Sequence, residues 1–130
     1  MTGVDPGVRE LAQDANFAVL TVLLRSGEPM SHVMWVDADD DYVLINTEVH
    51  RAKFRAVERD PRVAVTIWKR GDPYTYAEVR GRVVEIVRGQ EARDHIDKLS
   101  RKYRGLNYDP SRIQSERAIL RIEPDVQHVR

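Results

Sequence analysis

Apolar segments rich in β-branched residues recur along this chain, and short turns containing Gly, Pro or Asp separate most of them. Segments of this length and composition are typical of β-strands, and such turns are typical of hairpins between antiparallel strands. We predict strands over residues 17–24, 30–38, 42–46, 62–68, 74–87 and 116–124. Six strands connected mainly by short turns favour a mainly β fold, an antiparallel β-barrel with flanking helices, over a doubly wound parallel sheet.

Helix signals lie between these strands. We predict helices starting at Pro6 and over residues 48–59 and 90–105. Asp5 precedes the first helix as an N-cap, Thr47 is the candidate N-cap of the second, and Gly105 suits the C-cap of the third. Gly81 interrupts the long fifth strand, where a glycine predicts a β-bulge or a bend.

Composition and charge limit the classes of function open to the chain. Its 130 residues suffice for one domain, which we expect over residues 1–130. Lys plus Arg and Asp plus Glu both number 21, so the chain lacks the basic excess that nucleic-acid or anionic-membrane binding normally leaves. Without cysteine, disulfides, zinc–thiolate sites and thiol nucleophiles are excluded. No apolar run approaches the roughly 18 residues that span a bilayer, and no signal pattern opens the sequence, so we expect a cytoplasmic protein.

The common catalytic motifs are missing from the sequence. None of the four histidines forms a metal-ligand pair at helical spacing, and there is neither a GxSxG motif nor a glycine-rich phosphate loop. His95 falls within a charged amphipathic helix, so we expect it at the surface. The sequence therefore predicts no metal site and identifies no catalytic side chain.

The segment NTEVHRAKFRAVERDPRV, residues 46–63, carries a cluster of cations between two predicted strands. A helix N-terminus offers free backbone N–H groups to an anion, and Thr47, Arg51 and Lys53 could add a hydroxyl and two charges. The same spacing also describes a solvated helix face, because Arg51 and Arg55 stand four residues apart. Arg51 and Lys53 would diverge on a regular helix, and they converge only if Arg51 belongs to the loop or the first turn. The residues alone leave the two interpretations open.

Three motifs in order, NT-x3-R-x-K, RDPRV and DPYTYAEVRGRVVEI, resemble the pyridoxamine 5′-phosphate oxidase-like flavin-binding split β-barrel superfamily. Within it, the chain is most similar to the branch of reductases that use the deazaflavin coenzyme F420. The preceding GEPMSHVMWVD is similar to the G-x-P-x5-W strand of that family. The resemblance extends over roughly residues 8–123, nearly the whole chain.

The resemblance implies a six-stranded antiparallel split β-barrel of the FMN-binding type, which forms a homodimer with two cofactor sites at the interface. It places the cofactor phosphate around one group of residues, namely Asn46, Thr47, Arg51 and Lys53. It places the ring against strand two, near Ser31, Val33 and Trp35, and it has Pro73, Tyr74 and Tyr76 close the site from the partner chain. Many F420-dependent members have an asparagine where this chain has Ala56, which puts one cofactor contact in question.

The function implied is an oxidoreductase that transfers hydride from reduced F420 to a small organic acceptor. An FMN-dependent oxidase or reductase of the pyridoxamine phosphate oxidase type is the alternative within the same barrel. A non-catalytic protein that binds or stores F420 would use the same anion site. The resemblance implies neither a nucleic-acid partner nor a membrane.

Overall fold

The computed structural model describes residues 3–130 and contains one seven-stranded antiparallel sheet with three α-helices around it. The strands are β1 (Phe17–Leu23), β2 (Pro29–Met34), β3 (Asp37–Ala38), β4 (Val43–Glu48), β5 (Arg62–Lys69), β6 (Asp72–Arg88) and β7 (Arg117–Val129). The helices are α1 (Pro6–Gln13), α2 (Ala52–Arg59) and α3 (Gln90–Arg104), with one 3-10 turn at Pro110–Arg112. The predicted mainly β fold with flanking helices is confirmed. Within residues 3–130, no helix is both long and apolar enough to cross a membrane.

The order of strands in the sheet, β2-β1-β5-β6-β7-β4-β3, places β2 and β3 at its two opposite edges. Only Trp35 and Val36 separate these strands in sequence, so the chain can bridge no more than roughly 11 Å between them. The edges of a flat seven-stranded sheet would lie about 29 Å apart. The sheet therefore has to curl until its edges almost meet, which is the split-barrel shape that the sequence predicts.

The single strand predicted over residues 30–38 is wrong, because the structure divides it into β2 and β3. Val36 lies between the two strands, and the Tyr103 hydroxyl approaches both its backbone N–H at 3.1 Å and its carbonyl oxygen at 3.4 Å. A side chain from α3 thus takes the place of a strand partner at this point, so the β-ladder stops on one edge and resumes on the other.

The core fills the concave side of the curled sheet. Alternate residues of β1 and β5 point into it, which explains why buried and partly exposed side chains alternate along both strands. The helix α1 starts as predicted, since the Asp5 carboxylate accepts a hydrogen bond from the backbone N–H of Gly7 at 2.8 Å. Phe54, Ala56 and Val57 of α2 are buried in the same core. Ala56, the position where the resemblance led us to expect an asparagine, therefore packs inside the protein.

Gly81 marks a close approach between β6 and β7, where the pairing register shifts between Arg80 and Gly81. A Cβ atom on Gly81 would lie 2.1 Å from the carbonyl oxygen of Glu123. The predicted bulge is thus confirmed, and β7 continues past Pro124 to Val129 instead of ending at 124 as predicted. Pro124 is paired with Gly81 at the irregularity, where a residue without an N–H is tolerated.

We expect Gly81→Ala to lower the free energy of unfolding by about 3 kcal/mol or more, because the new methyl group meets backbone and not a movable side chain. Gly27→Ala is the matched control. Gly27 has a φ of 88° but open space around it, so its variant should lose only about 1 kcal/mol. Chemical denaturation of both variants checks the ranking, and equal losses would show that the close approach at Gly81 relaxes.

Candidate ligand-binding site

A cleft of about 540 Å³ opens where the end of β2 meets β4, α3, the start of α2 and the loop before β7. Five cationic side chains and one carboxylate line it, together with an aromatic wall and two uncharged polar residues. The lining comprises Phe17, Val33, Met34, Trp35, Asn46, Thr47, Glu48, Arg51, Lys53, Ile96, Arg104, Tyr108, Arg112 and Arg117. The excess of cations makes this cleft a candidate site for an anionic ligand.

The junction between β4 and α2 differs from the prediction in a way that favours the anion site. Thr47 is not the N-cap, since the ladder between β4 and β7 keeps it extended opposite Ala118, and α2 begins at Ala52 and not at residue 48. Arg51 is the N-cap, with φ −71° and ψ 148°, and no side chain caps the helix. Because Arg51 lies outside the helix, its side chain and that of Lys53 line the same cleft. The sequence predicted that the two side chains would converge only if Arg51 lay in the loop or the first turn, and the structure meets that condition.

Lys53 is the least compensated charge of the cleft. Its side chain is buried, with 7% of the residue exposed, and Met34 Sδ at 3.4 Å is the sole hydrogen-bond acceptor of Nζ among residues 3–130. Burial lowers the pKa of the Lys53 ammonium, and the nearby charges of Arg51 and Arg117 lower it further. A buried ammonium without a carboxylate partner destabilises the fold. A bound anion would supply that missing partner.

Arg117 forms the floor of the cleft, and sequence reasoning missed it. Its Nε donates to Asn46 Oδ1 at 2.8 Å, and its Nη1 donates to Glu48 Oε2 at 3.2 Å. Burial lowers the pKa of the Arg117 guanidinium, whereas Glu48 acts in the opposite direction. Burial alone would raise the pKa of Glu48, but hydrogen bonds from the backbone N–H groups of Ser115 and Gln114, together with Arg117, lower it.

His95 is buried, with 9% of the residue exposed, so the prediction that it lies at the surface is wrong. Its Nδ1 is 3.0 Å from Asn46 Nδ2, and its Nε2 is 3.1 Å from Asp37 Oδ2. The signal was present in the sequence, since His95 stands three residues after Ala92 and four before Leu99 on the apolar face of α3. Of the charged residues around it in sequence, Asp94 is exposed, whereas Lys98 reaches the same Asp37 carboxylate as His95.

Asp37 is the hydrogen-bond partner of His95 Nε2. Burial would raise the pKa of the carboxyl group, but hydrogen bonds from His95, the Ala38 backbone N–H and Lys98 outweigh it and lower the pKa to about 2. Asp37 is therefore an ionised acceptor at neutral pH. The buried histidine is held between a carboxylate and an amide.

Aromatic rings form a wall of the cleft, and Arg117 lies over one of them, Tyr108, at 5.3 Å. Trp35 stacks on Tyr103 with ring centroids 5.1 Å apart and an interplanar angle of 4°, and it meets Tyr108 edge-on at 6.3 Å. Phe17 also stacks on Tyr103, with ring centroids 5.6 Å apart. Such contacts fix the orientation of the rings, so the wall is rigid before any ligand arrives.

The other predicted site residues divide into two groups. Val33 lines the cleft and is 64% exposed. Ser31 does not line it, and its hydroxyl is paired with that of Thr21 at 2.8 Å. The predicted residues of β6, namely Pro73, Tyr74 and Tyr76, also lie outside the lining. Their assignment to a partner's site stays a prediction.

A family model described as Pyridoxamine 5′-phosphate oxidase matches residues 4–128 of the chain. A search among curated proteins finds no match. A solved structure described as an F420 reductase is similar over 96% of this chain and 98% of its own, with 26% identity and a TM-score of 0.83.

Two more distant structures share the fold. A conserved hypothetical protein from Mycobacterium tuberculosis is 22% identical, with a TM-score of 0.73 over 95% of this chain and 82% of its own. General Stress Protein 26 from Bacillus anthracis is 20% identical, with a TM-score of 0.69 over 94% and 89%.

We expect Lys53→Met to raise the free energy of unfolding of the ligand-free protein by about 1–3 kcal/mol, because it replaces a buried charge that has no carboxylate partner with an apolar chain of similar length. Arg55→Met is the control, since Arg55 is an exposed residue of the same helix. It should change stability by no more than about 0.5 kcal/mol. A loss of stability in Lys53→Met would contradict the view that the ammonium is a strained, uncompensated group.

Proposed function

The chain belongs to the pyridoxamine 5′-phosphate oxidase family, and on that premise we propose that it is an oxidoreductase that transfers hydride from reduced coenzyme F420 to a small organic acceptor. The observation that carries the proposal is the pairing, in one cleft, of a buried lysine that has no anionic partner among residues 3–130 and a wall of ordered aromatic rings. A ligand with both an anionic group and a flat ring system matches these two halves. F420 and FMN both have this combination.

The cation side of the cleft fits a phosphate group. Arg51 can bind a phosphate through two parallel N–H bonds, and Lys53 adds a point charge beside it. Thr47 contributes a hydroxyl from the end of β4, and the uncapped first turn of α2 leaves backbone N–H groups without intrahelical partners. These groups come from consecutive elements of the chain, so one rigid junction would hold the phosphate.

The aromatic side fits the ring. Trp35 presents a planar surface to the cleft whose orientation is fixed by Tyr103 behind it. When bound, the reduced cofactor supplies the hydride, and the tasks of the protein are to bind it, orient it and shield it from water. In this proposal no side chain has to act as a nucleophile.

F420 is favoured over FMN by the similarity to a solved F420 reductase that matches nearly the whole of both chains. Ala56, where many F420-dependent members have an asparagine, lies in the core and does not line the cleft, so it favours neither cofactor. An FMN-dependent oxidase or reductase is the second candidate, and its support is the family membership itself.

We further propose that the protein acts as a homodimer with the cofactor site at the interface. Tyr74 is 78% exposed at the start of β6, and neither it nor Tyr76 lines the cleft of its own chain. An exposed tyrosine on a rigid strand is well suited to contact a second copy. Residues 73–76 of the partner would then close the open side of the cleft.

Fluorescence titration of the purified protein with F420, FMN and FAD tests the cofactor assignment. We expect saturable binding of F420 that is tighter than that of FMN. The variant Arg51→Ala/Lys53→Met should weaken F420 binding by at least about tenfold for each charge removed, because each contact is a charge-assisted hydrogen bond. Arg55→Ala is the control, as Arg55 lies on the same helix but outside the cleft.

Each part of the proposal has a result that would contradict it. Tighter binding of FMN, or no binding of F420, would exclude the F420 proposal. An unchanged affinity in the double variant would exclude the anion site at the start of α2. Tight binding of F420 without turnover on quinones, enones, nitroaromatics or tetrapyrroles would favour the storage role over the reductase.

The dimer has its own test. We expect a mass in solution of twice 15.0 kDa, measured by light scattering. Tyr74→Ala and Arg51→Ala/Lys53→Met should each weaken F420 binding. An equal mixture that has exchanged subunits should regain tight sites, because each mixed dimer unites one intact cation side with one intact Tyr74. No recovery on mixing would show that Tyr74 does not act on the partner's site.

A further inference from the structure

A continuous path of buried hydrogen bonds connects α3 with the floor of the cleft. We call it the α3–β7 network, and it consists of Asp37, His95, Asn46, Arg117 and Glu48. These residues come from β3, α3, β4 and β7, and each of the five is at least 91% buried. Every link in the path is between 2.8 and 3.2 Å long.

The direction of each hydrogen bond in this network follows from one fixed donor. Arg117 Nε can only donate, so the Asn46 atom that faces it at 2.8 Å must be the carbonyl oxygen. Asn46 Nδ2 then faces the other way, toward the carbonyl oxygen of Ala92 at 3.0 Å and toward His95 Nδ1 at 3.0 Å. His95 Nδ1 must therefore accept, and Nε2 carries the proton that it donates to Asp37 Oδ2.

This set of directions uses every polar atom of the Asn46 side chain. An amide can rotate by half a turn at little intrinsic cost, and such a flip would place its NH2 group against Arg117 Nε, donor against donor. The acceptor nitrogen of His95 makes the flipped state unfavourable, because it would then face the carbonyl oxygen without a proton between them. His95 thus acts together with the Ala92 carbonyl and Arg117 Nε to fix which way the Asn46 amide points.

The orientation of Asn46 decides that of Arg117. The guanidinium is held by Asn46 at Nε and by Glu48 at Nη1, and its Cζ lies 5.3 Å from the centre of the Tyr108 ring. Its Nη2 makes no hydrogen bond within residues 3–130, although Arg117 lines the cleft. Arg117 is therefore a rigid fork with donors left for a ligand.

We propose that His95 is a positioning residue for ligand binding: through Asn46 it locks Arg117 as a third anion-binding group of the cleft, beside Arg51 and Lys53. The proposal deepens the proposed function, because it requires that the ligand of this cleft carries an anionic group. It does not depend on whether that ligand is F420 or FMN. His95 itself contacts neither the ligand nor the reacting atoms.

Three substitutions separate the positioning role from simple packing. His95→Leu keeps a buried side chain of similar volume but offers no acceptor to Asn46. His95→Asn keeps an acceptor oxygen close to the Nδ1 position, and His95→Gln keeps a donor for Asp37 without that acceptor. Arg117→Lys keeps a positive charge at the floor of the cleft but replaces the planar guanidinium with an ammonium group.

We expect His95→Leu and His95→Gln to weaken F420 or FMN binding about tenfold, as is usual for a member of a coupled network. His95→Asn should restore the affinity to within about threefold of the native protein. In the Arg117→Lys background, His95→Leu should change the affinity by less than about threefold, because the group that it positions is already gone. Two outcomes would overturn the proposal. In the first, the losses of affinity follow the melting temperatures of the variants. In the second, the loss caused by His95→Leu is as large in the Arg117→Lys background as in the native protein.

A measurement on the ligand-free protein makes the proposal independent of the cofactor. Nitrogen-15 NMR should show His95 with a proton on Nε2 and none on Nδ1, and a slowly exchanging Arg117 Nε–H. The Arg117 Nε–H should exchange rapidly with solvent in His95→Leu and slowly in His95→Asn. If the native protein binds neither F420 nor FMN, the proposed function fails, and these spectra alone decide on the network. The opposite tautomer, or an Arg117 proton indifferent to position 95, would refute it.

Discussion

The short connection between β2 and β3 is the constraint on which the rest of the structure depends. Two residues bridge the opposite edges of a seven-stranded sheet, so the sheet has to curl. The curl carries Met34 and Trp35, at the end of one edge strand, to the side of Lys53, which follows the strand beside the other edge. The cleft exists because the two edges meet there, and Tyr103 holds the crossing in place through its contacts with Val36.

The charged side chains of the cleft differ in how many hydrogen-bond partners the protein itself supplies to them. Arg117 and Glu48 form a buried pair in which Asn46 accepts a hydrogen bond from Arg117 and two backbone N–H groups donate to Glu48. Lys53 is buried without such a partner, and within residues 3–130 its Nζ finds a single hydrogen-bond acceptor, the thioether of Met34. Burial of an unpaired ammonium lowers stability, so a fold that retains one holds a group whose free energy improves when an anion binds.

The candidate site was only half visible in the sequence. Thr47, Arg51 and Lys53 stand together at a strand–helix junction, where their type and spacing left an anion site and a solvated helix face both open, and the family resemblance favoured the anion site. Arg117 and Asn46 are separated by 71 positions, and nothing local distinguishes Arg117 from the other arginines. His95 could have been found from its spacing to Ala92 and Leu99, but its role depends on Asp37 and Asn46, which only the folded chain places beside it.

The sequence by itself determined most of the strands, the first helix and its Asp5 cap, the bulge at Gly81 and the cationic junction after β4. These features are encoded by periodicity, caps and turn residues within a few positions of one another. The tertiary structure alone decided where α2 begins, because pairing with β7 keeps Thr47 and Glu48 extended against the local helix signal. It alone decided that Asp37 and Asn46 lie beside His95 and that Arg117 forms the floor of the cleft, since both outcomes depend on contacts between distant segments that no local pattern records.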